Sequence, residues 1–217
     1  MQKGIIFDMD GVLIDSEVYY FNRRMNFFAE VQLSPGSRSI NDYVGKTEAE
    51  IWQTLVPANP SLRAELKTTY RTYQKQHPID FEQALRKEVK PVLKKLSAAG
   101  IRMALASSSP RQMIDEMLTV CQLQSYFCYV ISGEELTQSK PHPEIYQLAQ
   151  SHIGCEKTVA VEDSTIGIQS AKAAGIYTIA LKQPFDVDQS QADQCIEDLS
   201  QLLPLFINKS NYNPFLQ

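Results

Sequence analysis

The feature that most restricts the fold is a beat that recurs from Val89 toward the C-terminus, a helical pattern followed by a short apolar run. The runs cover residues 102–106, 129–131, 158–161 and 177–181, and a fifth, residues 4–7, stands near the start of the chain. None alternates strictly between apolar and polar residues, so each reads as a strand covered on both faces. The intervening helices are predicted over residues 89–99, from Pro110 to about Cys121, over 143–153 and over 166–174, with Gly100 and Gly175 placed to end the first and the last. A closing helix is expected over 197–206 and a peripheral polar tail over 208–217. This alternation predicts an α/β protein with a doubly wound, Rossmann-like parallel sheet, and it leaves the strand order open.

From Ser16 to about Pro78 the strand signals vanish. Residues 17–31 are rich in aromatics and residues 62–76 are polar and lysine-rich, both with helical character. Thr47-Glu48-Ala49-Glu50 has the form of a capping box, so a helix should begin just after Lys46. The expected division is therefore a core of residues 1–14 and 82–217 interrupted by a helical lobe of residues 15–81.

Composition narrows the function classes. With 217 residues, 43% hydrophobic and 21% charged, the chain is of ordinary globular type. No apolar run approaches the ~20 residues of a membrane span. Twenty-one basic residues against 25 acidic ones give a net charge of −4, which opposes generic nucleic-acid binding. The opening Met-Gln-Lys-Gly is unlike a signal peptide, and a cytoplasmic monomer is expected. Cys121, Cys128, Cys155 and Cys195 form no C-x-x-C pair and read as small buried hydrophobes; with only His77, His142 and His152 beside them, any metal should have oxygen ligands.

Ligands of such sheets bind beyond the carboxyl ends of the strands. Four predicted ends carry polar groups of one theme: Asp8 and Asp10, then Ser107 and Ser108, then Lys140, then Glu162 with Asp163. Carboxylates suit a hard cation such as Mg²⁺, and hydroxyl, amide and ammonium donors suit a phosphate, so the set points to phosphoryl transfer.

Asp8-Met9-Asp10-Gly11-Val12-Leu13-Ile14-Asp15-Ser16, Ala106-Ser107-Ser108-Ser109, Lys140-Pro141-His142-Pro143 and Val161-Glu162-Asp163-Ser164 resemble the four motifs of the haloacid dehalogenase-like hydrolases. The helical stretch between the first two resembles the small cap of the phosphoglycolate phosphatase and β-phosphoglucomutase branch. One motif alone would say little, because D-x-D-G also suits a calcium loop or a turn; four in order along the whole chain are specific. The expected chemistry is hydrolysis of a small phosphorylated metabolite, a sugar phosphate, by a Mg²⁺-dependent phosphatase. Asp8 is the candidate nucleophile, forming an aspartyl-phosphate, and Asp10, placed two residues on in extended chain, the general acid and base. Asp8, Asp10, Glu162 and Asp163 are the candidate metal ligands, Asp10 through its backbone carbonyl as the resemblance implies. Ser107 should donate to the phosphoryl group, with the Ser108 N–H beside it, Ser109 capping the next helix, and Lys140 held rigidly between prolines. His142 reads as a residue opening a helix.

The cap loop Val44-Gly45-Lys46-Thr47 matches the position where relatives place a substrate-facing loop, so Gly45, Lys46 and Thr47 are candidate substrate contacts, with Lys46 reaching the leaving group. Tyr20 is expected to face the cleft, whereas Tyr19, Phe27, Phe28 and Trp52 are expected to pack the cap. A mutase is the nearest alternative. The β-phosphoglucomutases carry a histidine where this chain has Tyr20 and a cap-loop arginine where it has Glu48, and both differences favour hydrolysis. A carbon–halogen hydrolase is disfavoured by Asp10, and a phospho-acceptor signalling domain by the helical lobe. One departure from the relatives is Arg86-Lys87-Glu88-Val89, where they show a Pro-Gly-Val turn.

Overall fold

The computed structural model describes residues 2–207, so the expected tail over 208–217 lies outside the described residues. Five expected strands form: β1 (Lys3–Phe7), β2 (Arg102–Ser107), β3 (Tyr129–Ser132), β4 (Lys157–Glu162) and β5 (Tyr177–Leu181). A sixth, β6 (Gln194–Ile196), completes a parallel sheet of order β3-β2-β1-β4-β5-β6. The helix expected over 197–206 is corrected accordingly. Asp198 accepts from the Ser200 N–H and caps a 3₁₀ turn over Leu199–Gln201, and only five residues, Leu202–Phe206, go on as α-helix.

Burial on both faces explains the apolar runs. Ile5, Phe7, Met103, Leu105, Val159 and Val161 face one core with the helices Val89–Ala98 and Arg111–Cys121, while Ile6, Ala104, Ala106 and Ala160 face the other with the helix Glu144–Ile153. Successive residues of a strand point to opposite faces, so each run feeds both cores. The alanines of the second face let that helix sit close, and its Tyr146 reaches the strand ends fully buried. Of the four cysteines only Cys121 is buried; Cys155 is half-buried and Cys128 and Cys195 are exposed, which corrects their reading as core residues.

The lobe inserted after β1 consists of α1 (Ser16–Glu30), α2 (Glu48–Leu55) and α3 (Pro60–Gln76). It has its own aromatic core, in which Phe27 meets the edge of Tyr70 at 5.1 Å and Trp52 meets Tyr70 at 5.6 Å. Phe28 is buried there too, as expected, but Tyr19 is tied by its hydroxyl to the carbonyls of His77 and Pro78. The Thr47–Glu50 capping box forms and starts α2 where expected.

The two segments joining lobe and sheet are bonded to one another. Asp15 donates to the Ala84 carbonyl at 2.8 Å, Arg86 donates to that of Leu13 at 3.0 Å, and Ile14 and Leu85 pair as an antiparallel bridge. The Arg86 guanidinium and the Gln183 amide each donate to the Gly11 carbonyl at 2.9 Å, so the residue that departs from the relatives' turn serves to clamp this neck.

Candidate active site

Strands β2, β1 and β4 lie side by side, which brings their carboxyl ends, and the residues beyond them, to one spot. Asp8, Asp10, Glu17, Ser107, Ser108, Lys140, Asp163 and Ser164 line a recess of about 230 Å³ there. Six of the expected site residues are thus assembled from segments far apart in the chain.

Lys140 is the hub. Its ammonium donates to Asp8 Oδ1 and Glu162 Oε1, each at 2.6 Å, and to the Ala106 carbonyl at 3.2 Å. Burial disfavours the charged ammonium, but Asp8 and Glu162 outweigh it and hold Lys140 protonated, above the usual lysine range. Asp8 Oδ2 accepts no hydrogen bond among the described residues, which leaves one carboxylate oxygen open to the recess.

Glu162 sits behind this wall, with none of its surface exposed. Its two oxygens accept five hydrogen bonds, from Lys140, Tyr146, the N–H groups of Asp163 and Ser164, and the Ser164 hydroxyl. Against the burial that would raise it, Lys140 and Tyr146 hold its carboxyl below the usual range. Tyr146, whose Oη lies 2.7 Å from Glu162 Oε1, is a site residue the sequence did not reveal, because its place on the buried face of a helix reads as core.

Oxygens of Asp8, Glu162 and Asp163 lie within 4.8 Å of one another. Burial together with the charge of Glu162 pushes Asp163 well above the ordinary carboxylate range, and Asp8 up to about 8 in spite of Lys140. Three buried carboxylates facing one ammonium are short of positive charge, and oxygen donors at this spacing fit a divalent cation such as Mg²⁺. Gly11 belongs to the same fit: its φ is +74°, and a Cβ there would lie 1.9 Å from Asp163 Oδ2, so a side chain would displace the acid.

Asp10 reaches the recess by a different path from the extended one expected. The chain bends at Met9, whose carbonyl accepts from Leu13 at 2.9 Å and Ile14 at 3.1 Å, and the turn presents Asp10 beside Ser109. Ser109 donates from its hydroxyl to Asp10 Oδ2 at 2.6 Å, while Asp10 Oδ1 is buried without a hydrogen-bond partner among the described residues. Ser109 therefore does not cap the following helix, as had been expected; the capping position is Pro110, with no side-chain bond. Ser107 Oγ accepts from the Ser109 N–H at 3.0 Å, leaving its own hydrogen free to donate.

Gly45, Lys46 and Thr47 line a second cavity of about 620 Å³, between lobe and sheet, that also touches Lys140 and Asp163. The Lys46 ammonium donates to Thr54 Oγ1 at 3.2 Å and to no other group among the described residues, whereas the Thr47 hydroxyl is engaged in its capping box. One expectation is corrected. Tyr20 lines a separate groove against Met113 and not this cleft, with its hydroxyl 3.6 Å from the sulfur and close enough to Asp10 that burial, together with that acid, pushes its phenol up. Glu48 pairs with Lys67 at 2.9 Å and lines neither cavity, so it adds no repulsion there. His142 opens its helix as expected, its ring nitrogen accepting from the Glu144 N–H at 3.3 Å.

The family of haloacid dehalogenase-like hydrolases matches residues 5–181. The chain belongs to that family. It is 32% identical over 188 residues to a phosphorylated carbohydrates phosphatase of Thermotoga maritima, covering 82% of this chain and 83% of the relative. It is 30% identical over 192 residues to hexitol phosphatase B of Escherichia coli K12, with the same two coverages. Among solved structures, a provisionally named beta-phosphoglucomutase of Thermotoga maritima superposes with a TM-score of 0.76 at 27% identity, over 94% of this chain and 99% of that one. With that fold and those relatives, the haloacid dehalogenase-like chain is an enzyme of the phosphoric monoester hydrolase type. No helix among its described residues is long and apolar enough to cross a membrane.

Proposed function

We propose that this hydrolase is a Mg²⁺-dependent phosphatase of a small phosphorylated metabolite, a sugar phosphate, acting through an aspartyl-phosphate on Asp8, with residues 15–81 as the cap. The observation that carries the reading is the pairing at one recess of a carboxylate with one free oxygen, Asp8, and an acid with one unpartnered oxygen, Asp10. Asp8 and Asp163, backed by Glu162, would hold Mg²⁺ together with the Asp10 backbone carbonyl. Bound there, the cation would neutralise charge on the phosphoryl oxygens so that an anionic nucleophile can approach.

In the first half-reaction Asp8 Oδ2 bonds to phosphorus as the ester oxygen leaves with its electron pair and takes a proton from Asp10. In the second, Asp10 takes a proton from water, which bonds to phosphorus and releases inorganic phosphate and the Asp8 carboxylate. Ser107 and the Ser108 N–H donate to the phosphoryl oxygens, and Lys140 aims Asp8 and works against the burial that favours its protonated form. Ser109 orients Asp10 through its 2.6 Å bond.

The test is phosphate release from a panel of phosphorylated metabolites with and without Mg²⁺. A second arm separates hydrolysis from mutase action: with β-glucose 1-phosphate and a trace of the 1,6-bisphosphate, rapid glucose 6-phosphate formation without phosphate release would establish the mutase. Phosphate release is expected.

A further inference from the structure

Helix α1 sends two side chains of opposite charge toward the space between lobe and sheet. Glu17 and Arg24 stand seven residues apart, about two turns, and so share one helix face. Both line the 620 Å³ cavity, and Glu17 also lines the recess that holds Asp8 and Asp10, which places it nearer the reacting end. Neither makes a hydrogen bond or a close ion pair among the described residues, and Arg24 Nη1 is buried with no hydrogen-bond partner among them. The neighbouring Arg23 shows what such a side chain does when it serves packing. It donates to Tyr70 Oη and the His77 carbonyl, each at 3.2 Å, and lies over the rings of Tyr19, Tyr20 and Tyr70. Arg24 and Glu17 have no such employment. They face a shared cavity and attract one another, but no hydrogen bond or close ion pair closes the gap between them.

A group that fills this gap must donate to a carboxylate and accept from a guanidinium. A carboxylate or second phosphate would satisfy Arg24 but meet Glu17 as a like charge, and an ammonium would do the reverse. A hydroxyl, with one O–H and two lone pairs, satisfies both at once. The cavity wall agrees: Asp186 and Asp188 offer acceptors, the Lys46 ammonium offers donors, and Ile166, 51% exposed, offers an apolar contact for the C–H face of a carbon chain.

We infer that Glu17 and Arg24 are specificity-determining residues that read hydroxyls of the leaving alcohol, selecting uncharged polyhydroxylated phosphate monoesters over acidic or purely apolar ones. This rests on the phosphatase reading and extends it from the phosphoryl end to the rest of the substrate.

The experiment measures kcat/KM with Mg²⁺ for a hexitol 6-phosphate, n-hexyl phosphate and 3-phosphoglycerate, in the wild type and in Glu17→Met and Arg24→Met. The wild type is expected to prefer the hexitol ester over both others. Each substitution is expected to lower the ratio of hexitol to hexyl ester about tenfold or more, the usual scale for losing a hydrogen bond to a charged group. Because the ratio is taken within one preparation, it does not depend on how much of a variant is folded. Glu17→Met should also raise 3-phosphoglycerate relative to the hexitol ester. A ratio unchanged in both variants, or a wild type that prefers 3-phosphoglycerate or the hexyl ester, overturns the inference and leaves the phosphatase reading standing. No phosphate release by the wild type from any of the three, or from the panel above, overturns both.

Discussion

Gly167→Ala is the sharpest test of the site's architecture, because two effects of opposite sign compete there. Gly167 lies in the first turn of the helix Thr165–Ala173, where alanine is the better helix former by at most about 1 kcal/mol. An added Cβ, however, would stand 1.9 Å from Glu162 Oε1 and 2.1 Å from Oε2. Glu162 cannot yield without breaking some of its five hydrogen bonds. Overpacking of a rigid interior costs about 1–3 kcal/mol, and a lost hydrogen bond to a buried charge costs about 1.5–3 kcal/mol. The expected net effect is a loss of about 2–5 kcal/mol of stability, accompanied by lower activity as Lys140 follows the displaced carboxylate. Urea denaturation followed by circular dichroism reads the first effect and phosphate release the second. A variant that is more stable than the wild type would show that Glu162 has room to move, and the account of it as a fixed backstop would be abandoned.

Asp8→Asn should remain folded and release no phosphate; wild-type-like turnover would remove Asp8 as nucleophile. Asp10→Asn should lower turnover by the 10²–10⁴ or so attributed to general acid–base catalysis, and a change in KM alone would assign Asp10 another role. Ser109→Ala deletes the 2.6 Å bond that orients Asp10, so kcat should fall about tenfold with little change in KM; an unchanged kcat would show that the Met9 turn suffices to hold the acid. Chelation should stop phosphate release and Mg²⁺ restore it, while Ca²⁺, with looser and larger coordination, should inhibit; full activity in excess chelator would contradict the carboxylate-site reading.

The five long strands were legible because a strand covered on both faces must be apolar along its buried length, as Ile5-Ile6-Phe7 and Val159-Ala160-Val161 are. Strand β6 was not, because it has three residues and buries only Ile196, too short a signal to separate from the helix-like text that follows. The same asymmetry holds in the site. Asp8, Ser107 and Lys140 stand at strand ends or in a rigid turn, and position along the chain foretells where they meet. Tyr146 carries its chemistry at the tip of a side chain whose body is core, next to Ile145 and before Ala149 in a pattern that any packing tyrosine would give. Ser109 looked like a helix cap because serine before Pro-Arg usually is one; only the curl at Met9 brings Asp10 close enough to take its hydroxyl instead. Tyr20 could not be placed from the sequence because rotation of a helix about its axis, which decides what a side chain faces, is fixed by packing partners such as Met113.

The bonded neck between lobe and sheet has an evolutionary consequence. Since Asp15 and Ala84 are already hydrogen-bonded neighbours, everything strung between them is, from the sheet's point of view, one long loop closed at its base. The entropy of closing such a loop grows only with the logarithm of its length, so insertions there can lengthen, shorten or be replaced at little thermodynamic cost to the sheet. The aromatic cluster around Phe27 and Trp52 gives this one its own internal cohesion. Chemistry and substrate choice are thereby written in separately replaceable parts of the chain. A lineage could keep the recess around Asp8 unaltered and acquire new substrates by exchanging what lies beyond the neck.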